Sequence, residues 1–371
     1  MLYFQYMRYA LIFLLILTRT AFAQTNSRPN IILLMSDDQG WGETGYRGHP
    51  QLRTPVLDAM AAQGLRMDHF YAAAPVCSPT RASVLTGRNN DRTAVFSVGR
   101  PLRTAETTIA RLLRDAGYAT AHFGKWHLSG FKGPGAPVIS ADARHPGVFG
   151  YQYWLAATNF FDIDPILGRN GVPEAFTGGS SEVVIREAMT FIDSVKQSGR
   201  PFFVTVWFGS PHDPWQASAS DRAAYAGLGD RTMHHYGEIA EMDRSIGVLR
   251  EKLRATGMAE NTILWFNSDN GGVKPFAPAV NGGLRGFKGD LYEGGIRVPC
   301  VIEWPAVIRK PRVSDMPAST LDILPTLAEI AGIPTSKIAH PIDGASILAH
   351  LKGGMTERPR PIPFRYQQKA A

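Results

Sequence analysis

Several absences narrow the reading of this chain before any motif does. Only two of its 371 residues are cysteine, Cys77 and Cys300, so neither a disulfide-stapled scaffold nor a Cys/His zinc cluster is available. Cys300 lies in the apolar run Val298-Pro299-Cys300-Val301-Ile302-Glu303-Trp304, which reads as a buried strand, and the two thiols are not expected to pair. Beyond residue 23 no apolar run is long enough to suggest a membrane span. No Lys/Arg-rich run interleaved with aromatics occurs, which argues against nucleic acid as a partner. Repeats, low-complexity tracts and heptad arrays are also missing, which excludes solenoids and coiled coils.

What is present begins with a leader pattern. Arg8, the apolar stretch 10–17 and Ala21-Phe22-Ala23 make a basic start, a short hydrophobic centre and an A-x-A cleavage site. That pattern predicts a signal peptide over 1–23, and the apolar stretch is too short to cross a bilayer comfortably. The product is expected to be exported, periplasmic or secreted, with 24–371 as one large domain. Removing 1–23 takes away Arg8 and Arg19 and no acid, so the formal net charge of +7 falls by two. The remainder is still basic, which suits anionic partners.

Strand-like runs alternate with helical patterns from residue 30 onward, the signature of an α/β fold with a largely parallel sheet covered by helices. Strands are predicted at 30–35, 118–123, 201–208 and 262–267. Helices are predicted at 55–62, with Thr54 as cap and Pro55 in the first turn, and at 107–116, 181–195 and 233–256. In the last of these Ile239, Met242, Ile246, Leu249 and Leu253 share one face. Each polar motif follows the carboxyl end of such a strand or begins a helix. Ligands of open α/β sheets bind along that edge, so motifs distant in sequence can converge there.

Asp37-Asp38 and Asp269-Asn270-Gly271-Gly272 offer three carboxylates and an amide oxygen, hard donors suited to Ca²⁺ or Mg²⁺ and poorly suited to zinc. The same residue types also cap helices and build turns. Cys77-Ser78-Pro79-Thr80-Arg81 places a cysteine at the expected start of a helix over 78–86, whose amino end favours an anion. Lys125 and His127 lie in Gly124-Lys125-Trp126-His127, and His212 in Ser210-Pro211-His212-Asp213-Pro214. Lys288 lies in the segment 284–299, within Arg285-Gly286-Phe287-Lys288-Gly289-Asp290. Taken singly, such lysines and histidines are ordinarily solvated charges or satisfied core residues. His69, His122, His234 and His235 belong to no motif.

Together, in this order and at this spacing from Arg28 to about Arg365, these motifs resemble the sulfatases whose cysteine is oxidised to formylglycine. The N-acetylgalactosamine-6-sulfatase-like and arylsulfatase groups are among them. The resemblance implies an alkaline-phosphatase-like three-layer sandwich, with 24–371 as the catalytic domain. The family pattern continues into a small antiparallel subdomain, which is expected to be mostly absent from this chain. It implies a divalent cation, calcium or alternatively magnesium, held by Asp37, Asp38, Asp269, Asn270 and the modified Cys77.

By the same resemblance a formylglycine-generating enzyme converts Cys77 to an aldehyde that hydrates to a geminal diol. One hydroxyl attacks sulfur and expels the substrate's alcohol, and loss of the second proton then releases inorganic sulfate. Arg81, Lys125 and Lys288 match positions that bind sulfate or steady the diol, and His127 one that assists its collapse. His212 matches one that, with Lys288, contacts sulfate and protonates the leaving group. The implied reaction is hydrolysis of a sulfate ester, on a sulfated carbohydrate. A phosphatase or phosphonate hydrolase of the same superfamily, or a silent sulfated-glycan binder, are the rival readings. The segment 131–177, with Tyr151, Tyr153, Trp154, Asn159, Phe160, Phe161 and Arg169, is either a sugar-facing wall or core.

Overall fold

Residues 30–36 read Asn-Ile-Ile-Leu-Leu-Met-Ser, a run with no polar face, and only a strand covered on both sides can bury it. In the computed structural model, which describes residues 28–130, 133, 135–367 and 369–370, this run is β1 (Asn30–Ser36) at the heart of a ten-stranded sheet. The segment read as a signal peptide lies outside the described residues. The chain continues through β2 (Leu65–Met67), β3 (Phe70–Tyr71), β4 (Ala119–Lys125), β5 (Tyr153–Ala157), β6 (Ile166–Arg169) and β7 (Val172–Ala175). It then forms β8 (Phe202–Trp207), β9 (Thr262–Ser268), β10 (Cys300–Glu303), β11 (Arg312–Ser314) and β12 (Ala318–Ser319).

The order across the sheet is β11-β2-β10-β9-β1-β8-β4-β5-β6-β7, while β3 and β12 pair separately. The five central strands β9, β1, β8, β4 and β5 are mutually parallel, and β10, β6 and β7 pair antiparallel to their neighbours. The main helices are α1 (Pro55–Gln63), α2 (Cys77–Thr86), α3 (Ile109–Asp115), α4 (Ser180–Lys196), α5 (Asp230–Ala255) and α6 (Ile323–Ile330). Because side chains alternate along β1, Ile31, Leu33 and Met35 enter one core, with residues of α2, α3 and α6. Ile32 and Leu34 enter the other, with residues of α1, α4 and α5. Helices, sheet and helices make three layers, the α/β sandwich expected from the alternation of patterns.

Most element limits fall within a few residues of the sequence reading, and the departures are instructive. Thr54 stands at the N-cap of α1 but makes no capping bond. The Asp243 carboxylate, arriving from α5, takes the Val56 and Leu57 N–H groups instead, at 2.9 and 2.8 Å. Thr108 does cap α3, accepting from Arg111 N–H. Strand β4 runs on through Lys125, which places that side chain at the end of the strand rather than in the loop beyond it. Cys77 and Cys300 are both buried and unpaired. Among the described residues no helix is long and apolar enough to cross a membrane.

Candidate active site

Parallel alignment brings the carboxyl ends of β1, β4, β8 and β9 to one edge of the sheet, and the polar motifs meet there. Asp37 and Asp38 follow β1, and Asp269 and Asn270 follow β9; all four are fully buried. Asp38 takes a left-handed backbone (φ 69°), and its N–H donates to Asp269 Oδ1 at 3.1 Å. A residue other than glycine in that region is strained, and such strain gathers at functional sites. Gly124 (φ 99°) lets β4 approach β8 closely, since a Cβ there would lie 2.0 Å from the Trp207 carbonyl oxygen.

Cys77 opens α2 with Val76 at the N-cap and no side-chain cap, so the first N–H groups of the helix are left for another acceptor. Its Sγ lies 3.9 Å from Asp38 Oδ1. One turn on, the fully buried Arg81 reaches Asp269 Oδ2 at 2.6 Å and Asp37 Oδ1 at 3.4 Å, with its guanidinium 5.2 Å from the Trp207 ring. Lys125 Nζ donates to Asp37 Oδ2 at 2.6 Å, and Lys288 Nζ to Asp38 Oδ2 at 2.5 Å. The loop carrying Lys288 is tied on both sides, through Lys288 N–H to the Gly272 carbonyl and Gly289 N–H to the Pro75 carbonyl.

His212 Nδ1 donates to the Asp213 carbonyl at 2.6 Å, which leaves Nε2 to accept from Lys288 Nζ at 3.3 Å. Its ring stacks on Phe160 with centroids 4.7 Å apart. His127 is also left-handed (φ 56°) and buried, and among the described residues neither ring nitrogen has a partner. An imidazole so placed costs about 1–3 kcal/mol unless something hydrogen-bonds to it. All ten residues expected at the site thus lie in one connected cluster or beside it.

The charges keep Asp37, Asp38 and Lys288 ionised where water is excluded. Burial alone would push the Asp37 carboxyl up, but Lys125, His212, Arg81 and Lys288 together hold it well below the usual range. Asp38 is lowered in the same way, chiefly by Lys288 against its burial. Asp269 goes the other way: burial and the charge of Asp37 push it up to about 7 despite Arg81. Burial would pull Lys288 down, yet Asp38 holds it well above its ordinary value, so it stays a cation. Burial lowers His212 and, with Lys125 and Arg81, lowers His127 further, so both are neutral at neutral pH. Burial also drives the Cys77 thiol far upward against Lys125 and Lys288, so an unmodified Cys77 has no ready thiolate.

A cation fits this set. Full ionisation of Asp269 beside Asp37 and Asp38 calls for more positive charge than Arg81 supplies, and among the described residues the buried Asn270 Oδ1 has no donor to accept from. Asp37, Asp38, Cys77 and His212 also bring one donor atom each within 4.8 Å of one another. The Lys288 ammonium beside His212 Nε2 disfavours a cation at that nitrogen, so the hard oxygens of Asp37, Asp38, Asp269 and Asn270 are the better set.

Sequence reasoning missed the braces. Glu43, fully buried, accepts from Gly40 N–H at 2.8 Å and meets His235 Nε2 at 2.5 Å, fixing the turn that follows Asp38. His234 accepts from Ala217 N–H, and Glu238, by contact with Gln216 N–H, holds the same loop beyond His212. The spacing of Glu43 from Asp38 hints at none of this, because the partner arrives from α5. His122 is structural: it meets Thr205 Oγ1 at 2.8 Å, and burial with Arg81 nearby pushes it down to about 3. His69 stands 3.5 Å from the exposed Asp315.

Within 131–177 the two alternatives divide. Tyr151, Trp154 and Phe161 are buried in the two cores. Tyr153 packs on Phe123 and Phe191, and Arg169 is tied to Glu174 and Glu187. Phe160 reaches the site, where it stacks on His212, and the nearby Thr158 carbonyl accepts His127 N–H at 3.0 Å.

A crystal structure of Ps i-CgsB in complex with k-i-k-neocarrahexaose superposes with a TM-score of 0.82 over 92% of this chain and 80% of that one, at 27% identity. Sheet order and layers therefore place the fold in the alkaline-phosphatase-like α/β class. Residues 29–333 match the Sulfatase family model. The chain is 33% identical over 366 residues to the N-acetylgalactosamine-6-sulfatase of Canis lupus familiaris, covering 89% of this chain and 67% of that protein. It is 31% identical over 379 residues to the arylsulfatase A of Homo sapiens, covering 91% and 70%. The chain belongs to the sulfatase family and is a sulfuric ester hydrolase.

Proposed function

We propose that this protein removes sulfate from a sulfated carbohydrate, using formylglycine made from Cys77 and a divalent cation, calcium before magnesium. The observation that carries the reading is the meeting of Arg81, Lys125 and Lys288 around the carboxylates beside Cys77, at the uncapped start of α2. Three fixed cations and free N–H groups suit a tetrahedral oxyanion. The high pKa of the buried thiol supports conversion to another nucleophile rather than direct attack by sulfur.

In this reading Asp37, Asp38, Asp269 and Asn270 hold the cation, which when bound supplies Lewis acidity and lowers the pKa of a coordinated hydroxyl. Hydrated formylglycine supplies an oxygen nucleophile for sulfur and a carbonyl-forming route to sulfate release. Lys125 and Lys288 neutralise sulfate oxygens as charge builds, while Arg81 steadies the carboxylates and the start of α2. His127, with both nitrogens unpaired, moves a proton at position 77. His212, held by Asp213 and Phe160, passes a proton from the Lys288 side to the departing sugar oxygen. The rest of the assignment follows as part of the proposal: residues 1–23 direct export, 24–371 form the catalytic domain, and a formylglycine-generating enzyme is the maturation partner.

Sulfate release from sulfated sugars by exported, purified protein tests the reading. Chelator is expected to lower the rate at least about 100-fold, since the metal contributes several kcal/mol of charge stabilisation. Calcium should restore it and also raise the melting temperature, by about 2.7 kcal/mol of added stability at a hundredfold excess over its dissociation constant. Full activity in chelator, with no thermal response to calcium, would remove the cation from the account.

A further inference from the structure

One turn beside Cys77 is not explained by the fold or by the chemistry proposed above. Phe96, Ser97, Val98 and Arg100 are exposed, while Gly99 is buried between them. Arg100 N–H closes the turn on the Ser97 carbonyl at 3.2 Å, and Gly99 has φ 72°, the conformation that calls for glycine at the third position. Two further bonds lock it in place. Gly99 N–H donates to Ser78 Oγ at 2.9 Å, and Leu102 N–H donates to the Leu128 carbonyl at 3.0 Å. Ser78 follows Cys77 and Leu128 follows His127, so the segment 97–102 is anchored to the immediate neighbours of two site residues.

Its exposed side chains have an unusual composition. Phe96 and Val98 are 45% and 38% exposed, two large apolar groups two residues apart. Among the described residues the Arg100 side chain has no partner. Every other arginine from 88 to 114 has one: Arg88 and Arg103 pair with Glu106, Arg92 with Asp343 and Arg114 with Asp115, and Arg111 donates to backbone carbonyls. A free guanidinium beside apolar groups, on a turn fixed next to the nucleophile position, is suited to a ring with a carboxylate or sulfate on it.

We infer that this turn is a further wall of the substrate cleft, and that Arg100 receives a second anionic group on the sugar whose sulfate reaches Cys77. The preferred substrate is then a sugar unit carrying two anions, sulfate or carboxylate, rather than a singly sulfated one. The inference deepens the hydrolytic reading and rests on it for the position of the cleft.

Binding in a Cys77→Ser background separates the two. Titration calorimetry with a disulfated and a monosulfated disaccharide of the same backbone should give about tenfold tighter binding of the first, the scale of a hydrogen bond to a charged group. Adding Arg100→Ala should bring that ratio near one, Arg100→Lys should keep part of it, and rising salt should shrink it. No preference for the disulfated sugar, or a preference that survives Arg100→Ala, overturns the inference. Sulfate release by the unsubstituted protein reports separately on hydrolysis, so its failure with the Arg100-dependent ratio intact would sink only the reaction.

Discussion

Replacing Cys77 by alanine is expected to lower sulfate ester hydrolysis by on the order of 10⁴–10⁶-fold, the scale on which removal of a nucleophile acts in other hydrolases. The residue lies where the start of α2, the Asp37–Asp38 turn and the Lys288 loop converge, and its neighbours are already charged and paired. The carboxylates of the cluster are not free to attack: Asp37 and Asp38 are engaged by Lys125 and Lys288, and Asp269 by Arg81. The fold should tolerate the change, since alanine removes one buried sulfur and costs about 1 kcal/mol. Rate and melting temperature measured on the same sample separate the two effects. A variant that melted normally and kept a tenth of the activity would mean that the nucleophile lies elsewhere.

The second large effect is on stability. Asp37→Asn keeps the shape of the side chain but leaves the fully buried Lys125 ammonium without its carboxylate. Breaking a buried pair from one side costs about 3–5 kcal/mol, because the remaining charge is desolvated and unpaired. Removing both charges is milder, so Asp37→Asn with Lys125→Met should unfold at higher denaturant than Asp37→Asn alone. Denaturant unfolding in chelator, which keeps metal binding out of the comparison, gives both numbers. Equal stability of the single and double variants would mean that the pair is not the constraint the geometry describes. Both variants should lose hydrolysis.

The class of the fold was readable because its strands are written twice over, as unbroken apolar runs and as bounded segments between helical patterns. Asn30–Ser36 and Thr262–Ser268 leave no polar face, so layers on both sides followed directly. The candidate site was readable for a related reason: Asp37, Asp38, Lys125 and Asp269 sit at or just beyond strand ends, where a parallel sheet must gather them. What stayed hidden depends on partners from afar. Asp243 caps α1 from a helix some 190 residues away in sequence, in place of the local Thr54. Glu43 pairs with His235 across a similar span. Phe160 and Trp154 look alike in sequence, yet one stacks on His212 and the other fills the core, because the strand β5 ends between them. Periodicity cannot distinguish such neighbours once the chain leaves regular structure.

The central claim is that position 77 carries an aldehyde-derived nucleophile, and the mass of one peptide tests it most directly. Protein exported from a host with a working formylglycine-generating enzyme is digested with trypsin, and the peptide 67–81 is weighed. The account predicts the mass loss of thiol-to-aldehyde conversion at Cys77 in active protein. Hydrolytically active protein with an intact Cys77 thiol would contradict it.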